Sequence, residues 1–183
     1  MRNSVSPFTN YFSCLRSFSS VKGKKRKRQY EGLCTNLTSQ ITDNITEILI
    51  KIIEFTHNRH KILTQNITNV NETGFVPKEL AVNEFSILLN NALDEHIRNR
   101  RLILRDTENI KFGVRGSIEV KPVVDEHSKK LLKENRDRYL ELQINKLLEN
   151  SLNQRLAAEL LRQKQKTVST DAAKRQQVYD IDY

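Results

Sequence analysis

Apolar residues near the start of the folded part of the chain recur in alternating steps of four and three. They form a heptad seam of Ile41, Ile45, Ile48, Ile52 and Phe55. This spacing puts side chains on one face of a helix, where a second helix can pack. Arg59 takes the next seam position, so the pattern is not that of an uninterrupted coiled coil. We predict a first long helix from about residue 38 to 69, within an N-terminal segment 37–70.

A second apolar stripe predicts a long helix over residues 138–166. Its members include Leu140, Ile144, Leu148, Leu152 and Leu156. Because its steps are mostly four, the stripe drifts around the helix and is broad. We predict that it faces the first seam in an antiparallel pair. The expected fold class is therefore mainly α: a long helical hairpin, with residues 167–183 as a frayed polar end.

The segment between the two helices, residues 71–137, is expected to be irregular and partly β-like. Asn, Gly and Pro cluster over residues 71–77, and Gly74 can take a positive φ there, which predicts a turn. Apolar residues on one face predict a short helix over about 83–101: Phe85, Leu88, Leu89, Ala92 and Leu93. Alternation over 112–120 permits a short hairpin or an extended loop.

Charge is distributed unevenly along the chain. The formal net charge is +9, yet residues 1–28 hold eight Lys or Arg and no Asp or Glu. The rest is nearly neutral, so charge gives no support for a nucleic-acid-binding body. Residues 1–36 show no sustained period and are predicted to be disordered. The run Lys24 to Arg28 fits a nuclear signal or a nucleic-acid patch. The segment also fits a mitochondrial transit peptide, a solvated basic tail, or residues upstream of the true start.

Residue chemistry gives little indication of a reaction. Both cysteines, Cys14 and Cys34, lie in or beside the tail, so the body has no cysteine framework or cysteine metal site. His57 and His60 are three apart on the first predicted helix, but no third ligand stands at a suitable spacing. No glycine-rich phosphate loop follows a strand. We therefore expect no enzyme activity, no metal, no cofactor and no small-molecule substrate.

Three short motifs carry a resemblance to a known family. Asn66, Ile67 and Asn69 match an Asn-Ile-Ala-Asn sequence in which Thr68 replaces Ala. Gly74 and Phe75 match the end of Thr-Pro-Gly-Tyr, with Thr73 in place of Pro. Asn135 matches one position of Gly-Asn-Asn, just before the last helix. In order and spacing, residues 38–166 resemble flagellar basal-body rod proteins of the FlgB type, which belong to the proximal rod.

The resemblance implies a structural subunit of the bacterial flagellar rod. Its two long helices would pair, and copies would pack in a helical array around the export channel in the periplasm. The expected partners are other copies, other rod subunits, the type III export apparatus and neighbours in the inner-membrane ring, with no nucleic acid. The alternative is a mitochondrial RNA- or ribosome-associated protein with a transit peptide, which the basic, acid-free start of the chain favours.

Overall fold

A computed structural model describes residues 34–113 and 117–179, and side-chain surroundings within 44–113 and 117–170. The described residues form four α-helices: α1 Cys34–Thr68, α2 Val82–Asn99, α3 Glu126–Glu134 and α4 Arg136–Tyr179. A 3-10 turn, Asn69–Asn71, follows α1. The short strands are β1 Lys78–Glu79, β2 Ile110–Phe112, β3 Ile118–Val120 and β4 Val123–Val124. The part of the predicted disordered tail up to residue 33 lies outside the described residues.

Helices α1 and α4 form the predicted antiparallel hairpin. The Asn150 side chain donates to the carbonyl of Thr56 at 2.7 Å, and the Tyr139 hydroxyl donates to the carbonyl of Asn66 at 3.0 Å. Residue numbers thus rise along α1 as they fall along α4. The fold class predicted from the two periodic segments is confirmed.

The α1 seam is the centre of the core. Ile48, Ile52 and Phe55 are fully buried, and Ile45 is half-buried against them. Ile41 belongs to α1, but its side-chain surroundings lie outside the described residues. The seam runs on through Arg59, which is buried as well. A charged side chain at a seam position therefore does not end the interface, because it is paired there.

On α4 the predicted contact face is wrong. Ile144, Leu148 and Leu152 are 54%, 60% and 59% exposed. The buried positions follow a heptad instead, and most are polar: Tyr139, Gln143, Asn150 and Ala157. Each step of four turns a stripe by about 40° relative to the helix axis. The centre of the predicted stripe, from Ile144 to Leu152, lies on the outer side of α4.

The two ends of this stripe behave differently from its centre. Leu140 is half-buried, and Leu156 reaches the core, where it packs against the buried cluster. The helix also continues past the predicted end near residue 166, as far as Tyr179. Drift of the stripe thus brings its C-terminal part, but not its centre, into contact with α1.

Helix α2 packs against the α1 seam. The rings of Phe55 and Phe85 stack with centroids 3.9 Å apart and planes 4° apart. The predicted apolar face of α2 is buried throughout. Near its C-terminal end, His96 is buried and its Nδ1 lies 3.2 Å from Nδ2 of Asn44. Helix α2 therefore runs antiparallel to α1, with its end level with Asn44.

The middle segment contains two small antiparallel pairs and one unpredicted helix. Strands β2 and β3 form the hairpin that alternation permitted, with Ile110 opposite Val120. Strands β1 and β4 pair with Lys78 opposite Val124. Helix α3 was not predicted from the sequence. It is only nine residues long and lysine-rich, so its apolar pattern is weak.

The turn after α1 has the backbone geometry that glycine favours. The N–H of Phe75 donates to the carbonyl of Glu72 at 3.2 Å, and Gly74 has φ of +79°. A positive φ at the third of four residues is the mark of a type II turn, in which proline is common at the second. Thr73 holds that second position, and Glu72 before it is extended, with ψ of 137°. The backbone preceding residue 73 is thus already suited to a proline.

Two changes in this turn should shift stability in opposite directions. Gly74→Val is expected to lower the free energy of unfolding by about 1–2 kcal/mol, because a side chain resists positive φ. Thr73→Pro is expected to raise it by about 0.4–1 kcal/mol, because it restricts the unfolded chain. Urea unfolding followed by circular dichroism measures both.

Gly74→Asn is the matched control for this pair. An added Cβ at residue 74 meets nothing within 4 Å, so only the backbone conformation is at issue. Asparagine tolerates positive φ better than valine and should cost less. Equal losses for Asn and Val at residue 74 would contradict the type II turn.

Candidate functional site

Asn66, near the end of α1, has a buried side chain whose amide group is fully engaged. Its Oδ1 accepts from the backbone N–H of Lys78 at 3.1 Å, and its Nδ2 donates to the Lys78 carbonyl at 2.7 Å. The same Nδ2 donates to Oε1 of Gln143 on α4 at 3.0 Å. One side chain therefore holds β1 against α1 as a neighbouring strand would, and links both to α4.

Gln143 extends these hydrogen bonds to α3. Its Nε2 donates to the Ser128 hydroxyl at 3.0 Å, and that hydroxyl donates to Oδ2 of Asp125 at 2.6 Å. Asp125 also caps α3, because its Oδ1 accepts from the backbone N–H of Ser128 at 2.9 Å. The polar contacts thus run without interruption from α1 to the start of α3.

Four charged side chains complete the cluster. Nη2 of Arg59 lies 2.7 Å from Oε1 of Glu79, and Lys146 binds the other oxygen of that carboxylate. Lys146 also lies 2.7 Å from Oδ2 of Asp125. Two cations and two anions therefore alternate and cancel. We call the whole set the polar junction: Arg59, Asn66, Glu79, Asp125, Ser128, Tyr139, Gln143 and Lys146.

Two ionisable groups of the junction have shifted pKa values. Burial alone would raise the pKa of Asp125, but hydrogen bonds from Lys146 and Ser128 outweigh it and hold that pKa far below its usual range. Burial, with a smaller contribution from the Asp125 charge, raises the pKa of Tyr139 to about 12. The first shift favours an ionised Asp125 carboxylate in the folded junction at neutral pH, and the second favours a neutral Tyr139 hydroxyl.

The chemistry of the junction is that of a structural lock. Its carboxylates are all paired with cations, and its hydroxyls both donate to protein acceptors. An open pocket of about 530 Å³ lies beside it, with Arg59, Glu79 and Asp125 in its lining. In the part of the chain that the structure describes, no group of three His, Cys, Asp or Glu could hold a metal ion. His57 and His60, the pair weighed as metal ligands, are both exposed.

The other motif residues have more local roles. Asn69 lies in the 3-10 turn, where its Oδ1 accepts from the Thr68 hydroxyl at 2.9 Å, and it does not share the Asn66 contacts. Ile67 and Phe75 are half-buried. Asn135 ends α3 and begins α4, since its Oδ1 accepts from the backbone N–H of Arg138 at 3.0 Å. The motifs thus contribute one junction residue, a turn and a helix cap.

Sequence reasoning missed most of the junction. Glu79, Asp125 and Lys146 are far apart in the chain, so no local signal joins them. The one available hint was Arg59, a charge at a seam position that needed a buried partner. Nothing in the sequence identified Glu79 as that partner.

A second feature is the exposed apolar face of α4. We call Ile144, Leu148 and Leu152 the outer stripe. They follow one another at steps of four, so they extend about 12 Å along the helix. In the described part of the chain, each of the three side chains remains more than half exposed to solvent. No helix in the described part of the chain is long and apolar enough to cross a membrane.

The two asparagines of the motif give a direct test of the junction. Asn66→Ala leaves the backbone N–H and carbonyl of Lys78, and the side-chain amide oxygen of Gln143, without this partner. We therefore expect a loss of about 3 kcal/mol in unfolding free energy. Asn69→Ala removes only an exposed contact and should cost less than about 0.5 kcal/mol. Chemical denaturation measures both, and similar losses would contradict the central role of Asn66.

Acid unfolding tests the charge state of Asp125. Its pKa is lower in the folded than in the unfolded chain, so its contribution is present above about pH 4 and is lost as pH falls toward the folded pKa. The unchanged protein should lose unfolding free energy as the pH falls, and Asp125→Asn should make that loss smaller by about 2 kcal/mol. The exposed Asp137→Asn is the control and should keep the pH profile of the unchanged protein. The measurement is unfolding free energy between about pH 6 and pH 2.

The chain was also compared with known proteins. Models of protein families, curated proteins and solved structures all give no match to this sequence. Inferences about function therefore depend on the residues and geometry of this chain itself.

Proposed function

We propose that this chain is a structural subunit of the proximal rod of the bacterial flagellar basal body, which assembles by packing of its long helices. The observation that carries the proposal is the outer stripe. Three large apolar side chains in a row on one helix face are more than the isolated exposed residues that a monomer normally shows. A face of this kind is suited to packing against another helix.

The energy available from the stripe is modest for each contact. Full burial of one Leu or Ile contributes about 1.5–3 kcal/mol, and these three are already partly covered. One stripe contact would therefore supply only about 2.5–5 kcal/mol, which is too little for a stable pair. A helical array, in which each subunit touches several others, adds such contacts together. Weak single contacts then give ordered growth from an existing end.

The shape of the subunit fits an open array. By their residue counts, α1 extends about 50 Å and α4 about 65 Å. Within residues 44–68 of α1, whose side chains the structure describes, the seam is buried and no second row of exposed apolar side chains is present. A contact between unlike surfaces is heterologous, and such contacts form rings or open helical filaments. A tube-like rod is one such structure.

The identity of the array comes from the motif resemblance. Asn66 belongs to the polar junction, Gly74 lies in the turn after α1, and Asn135 caps α4. Together these residues fix α4 relative to α1. In this proposal the function is mechanical: the polar junction keeps the hairpin rigid while the outer stripe binds the next subunit. Torque would pass through packed helices, with no catalytic step.

The outer stripe is open to a direct test. Replacing Ile144, Leu148 and Leu152 by Gln should abolish concentration-dependent assembly of the purified full chain in analytical ultracentrifugation. Helicity should be unchanged, and the unfolding free energy should change by less than about 1 kcal/mol, because exposed positions contribute little to the stability of the monomer. In the native organism, the same variant should fail to restore swimming to a strain that lacks the gene.

Ile87→Gln provides the matched control, since Ile87 on α2 is 60% exposed but stands alone. It should assemble and swim as the unchanged chain does. The rod identity itself requires the protein in purified basal bodies. Its absence there, or normal hook-basal bodies in the deletion strain, would overturn the proposal and favour the mitochondrial alternative.

A further inference from the structure

The guanidinium group of Arg59 is buried but only partly hydrogen-bonded. The Arg59 side chain is 5% exposed, and Nη2 is the nitrogen that binds Glu79. Its other two nitrogens, Nε and Nη1, are buried and have no hydrogen-bond partner among the described residues. Arg59 lines the pocket of about 530 Å³ beside the polar junction. Because unpaired N–H groups of a buried cation are costly, this wall of the pocket favours a ligand that supplies acceptor atoms.

The start of α2 borders the same pocket and adds backbone donors. Ala81 is the N-cap of α2, and no side chain caps the helix there. Glu84, in the first turn, accepts instead from Nδ2 of Asn109 at 2.9 Å. Ala81, Asn83 and Glu84 all line the pocket. Since the first N–H groups of a helix have no partner within it, this wall also favours acceptor atoms.

A third wall of the pocket is formed by strand β4, which has an open edge. Strand β4 pairs with β1 on one side, and no third strand joins the pair among the described residues. Both backbone groups of Lys78 bind Asn66, so Lys78 and Val124 face each other as a non-hydrogen-bonded pair. The N–H and carbonyl of Val124 therefore point away from β1. Val123 and Val124 line the pocket, and an extended peptide can add to an edge of this kind.

The charge of the pocket decides which acceptor fits. The lining contains one cation, Arg59, and five carboxylates. The carboxylates belong to Glu79, Glu84, Asp125, Glu126 and Glu149. Lys146 binds two of these carboxylates, and Lys129 binds that of Glu126. Three cations against five anions leave a surplus of negative charge, which disfavours a carboxylate or phosphate ligand. A carbonyl oxygen accepts hydrogen bonds without a net charge, and a peptide main chain supplies such oxygens.

We propose that this pocket binds an extended peptide segment of another protein, and that the segment carries a Lys or Arg side chain. The segment adds as a strand beside Val124, and its carbonyls accept from Arg59 and from the start of α2. Its basic side chain pairs with the surplus carboxylates, while Val82 and Val123 contact the aliphatic part of that side chain. The proposal does not depend on the rod assignment or on the outer stripe.

Fluorescence anisotropy with the full-length chain tests the choice of ligand. The probe is a labelled heptapeptide of alternating Lys and Thr, which should bind with saturation. A heptapeptide of alternating Gln and Thr keeps the main chain but loses the charge, and it should bind at least about tenfold more weakly. Spermidine keeps the charge but has no carbonyl. It should displace the probe only at concentrations at least about tenfold higher than the Lys peptide requires.

Variants of Val124 test the open edge of β4. Val124→Pro removes the N–H that points away from β1, whereas Val124→Thr keeps it. Both should fold, because proline is tolerated at a strand edge whose N–H pairs with no neighbouring strand. Binding of the Lys peptide should fall at least about tenfold for Val124→Pro and less than about twofold for Val124→Thr.

Two carboxylates of α3 form a matched pair that tests the charge. Glu126 lines the pocket and pairs with Lys129, whereas Glu134 lies at the other end of α3, outside the pocket lining, and pairs with Lys130. Glu126→Gln should weaken binding of the Lys peptide at least about threefold. Glu134→Gln should bind as the unchanged chain does. Because both carboxylates are exposed, this pair decides even if Val124→Pro loses helicity in circular dichroism.

Three results would overturn the proposal. Equal binding of the Lys and Gln peptides, or equal displacement by spermidine and the Lys peptide, would show that the pocket does not recognise a basic main chain. Equal binding by the Glu126→Gln and Glu134→Gln variants would place the peptide elsewhere. A heptapeptide of alternating Glu and Thr that binds the unchanged chain more tightly than the Lys peptide, and loses this binding with Val124→Pro, would assign the pocket to acidic segments.

Discussion

The side chain of Asn66 is the contact on which the rest of the structure depends. With three hydrogen-bonding partners it fixes the strand after the turn onto α1 and joins both to Gln143 of α4. Ser128 and Asp125 then connect this point to the start of α3. An amide can do this because it offers both a donor and an acceptor in one plane, as a peptide group does. No apolar side chain could hold an irregular segment against a helix in the same way.

The polar character of this contact affects the whole hairpin. Because α1 presents the Thr56 carbonyl and the Asn66 side chain to α4, the facing positions of α4 are filled by the polar partners Asn150 and Gln143. Buried polar groups give a defined register, since a shifted helix would leave them unpaired. They also contribute less net energy than leucines would. The hairpin is therefore specific in its pairing, and the apolar residues of α4 are left for the outside.

An exposed apolar surface follows from this arrangement. The outer stripe lies along the α4 segment that pairs with the polar part of α1, and we propose that it makes the contacts between subunits. On the side of α4 that faces α1, the polar junction balances its two cations with two anions and so adds no net charge.

The sequence by itself determined the three longer helices, the seam of Ile48, Ile52 and Phe55, and the turn at Gly74, because periodicity and positive φ are local properties. It did not determine which face of α4 turns inward. Hydrophobicity favoured Leu148 and its neighbours, but burial depended on partners for Arg59 and Asn66, which only the folded chain brings together. The same holds for Glu79 and Asp125, which are far apart in sequence and are both bound by Lys146. Local patterns specify elements, whereas the choice of face is decided by which polar groups must be paired once two elements meet.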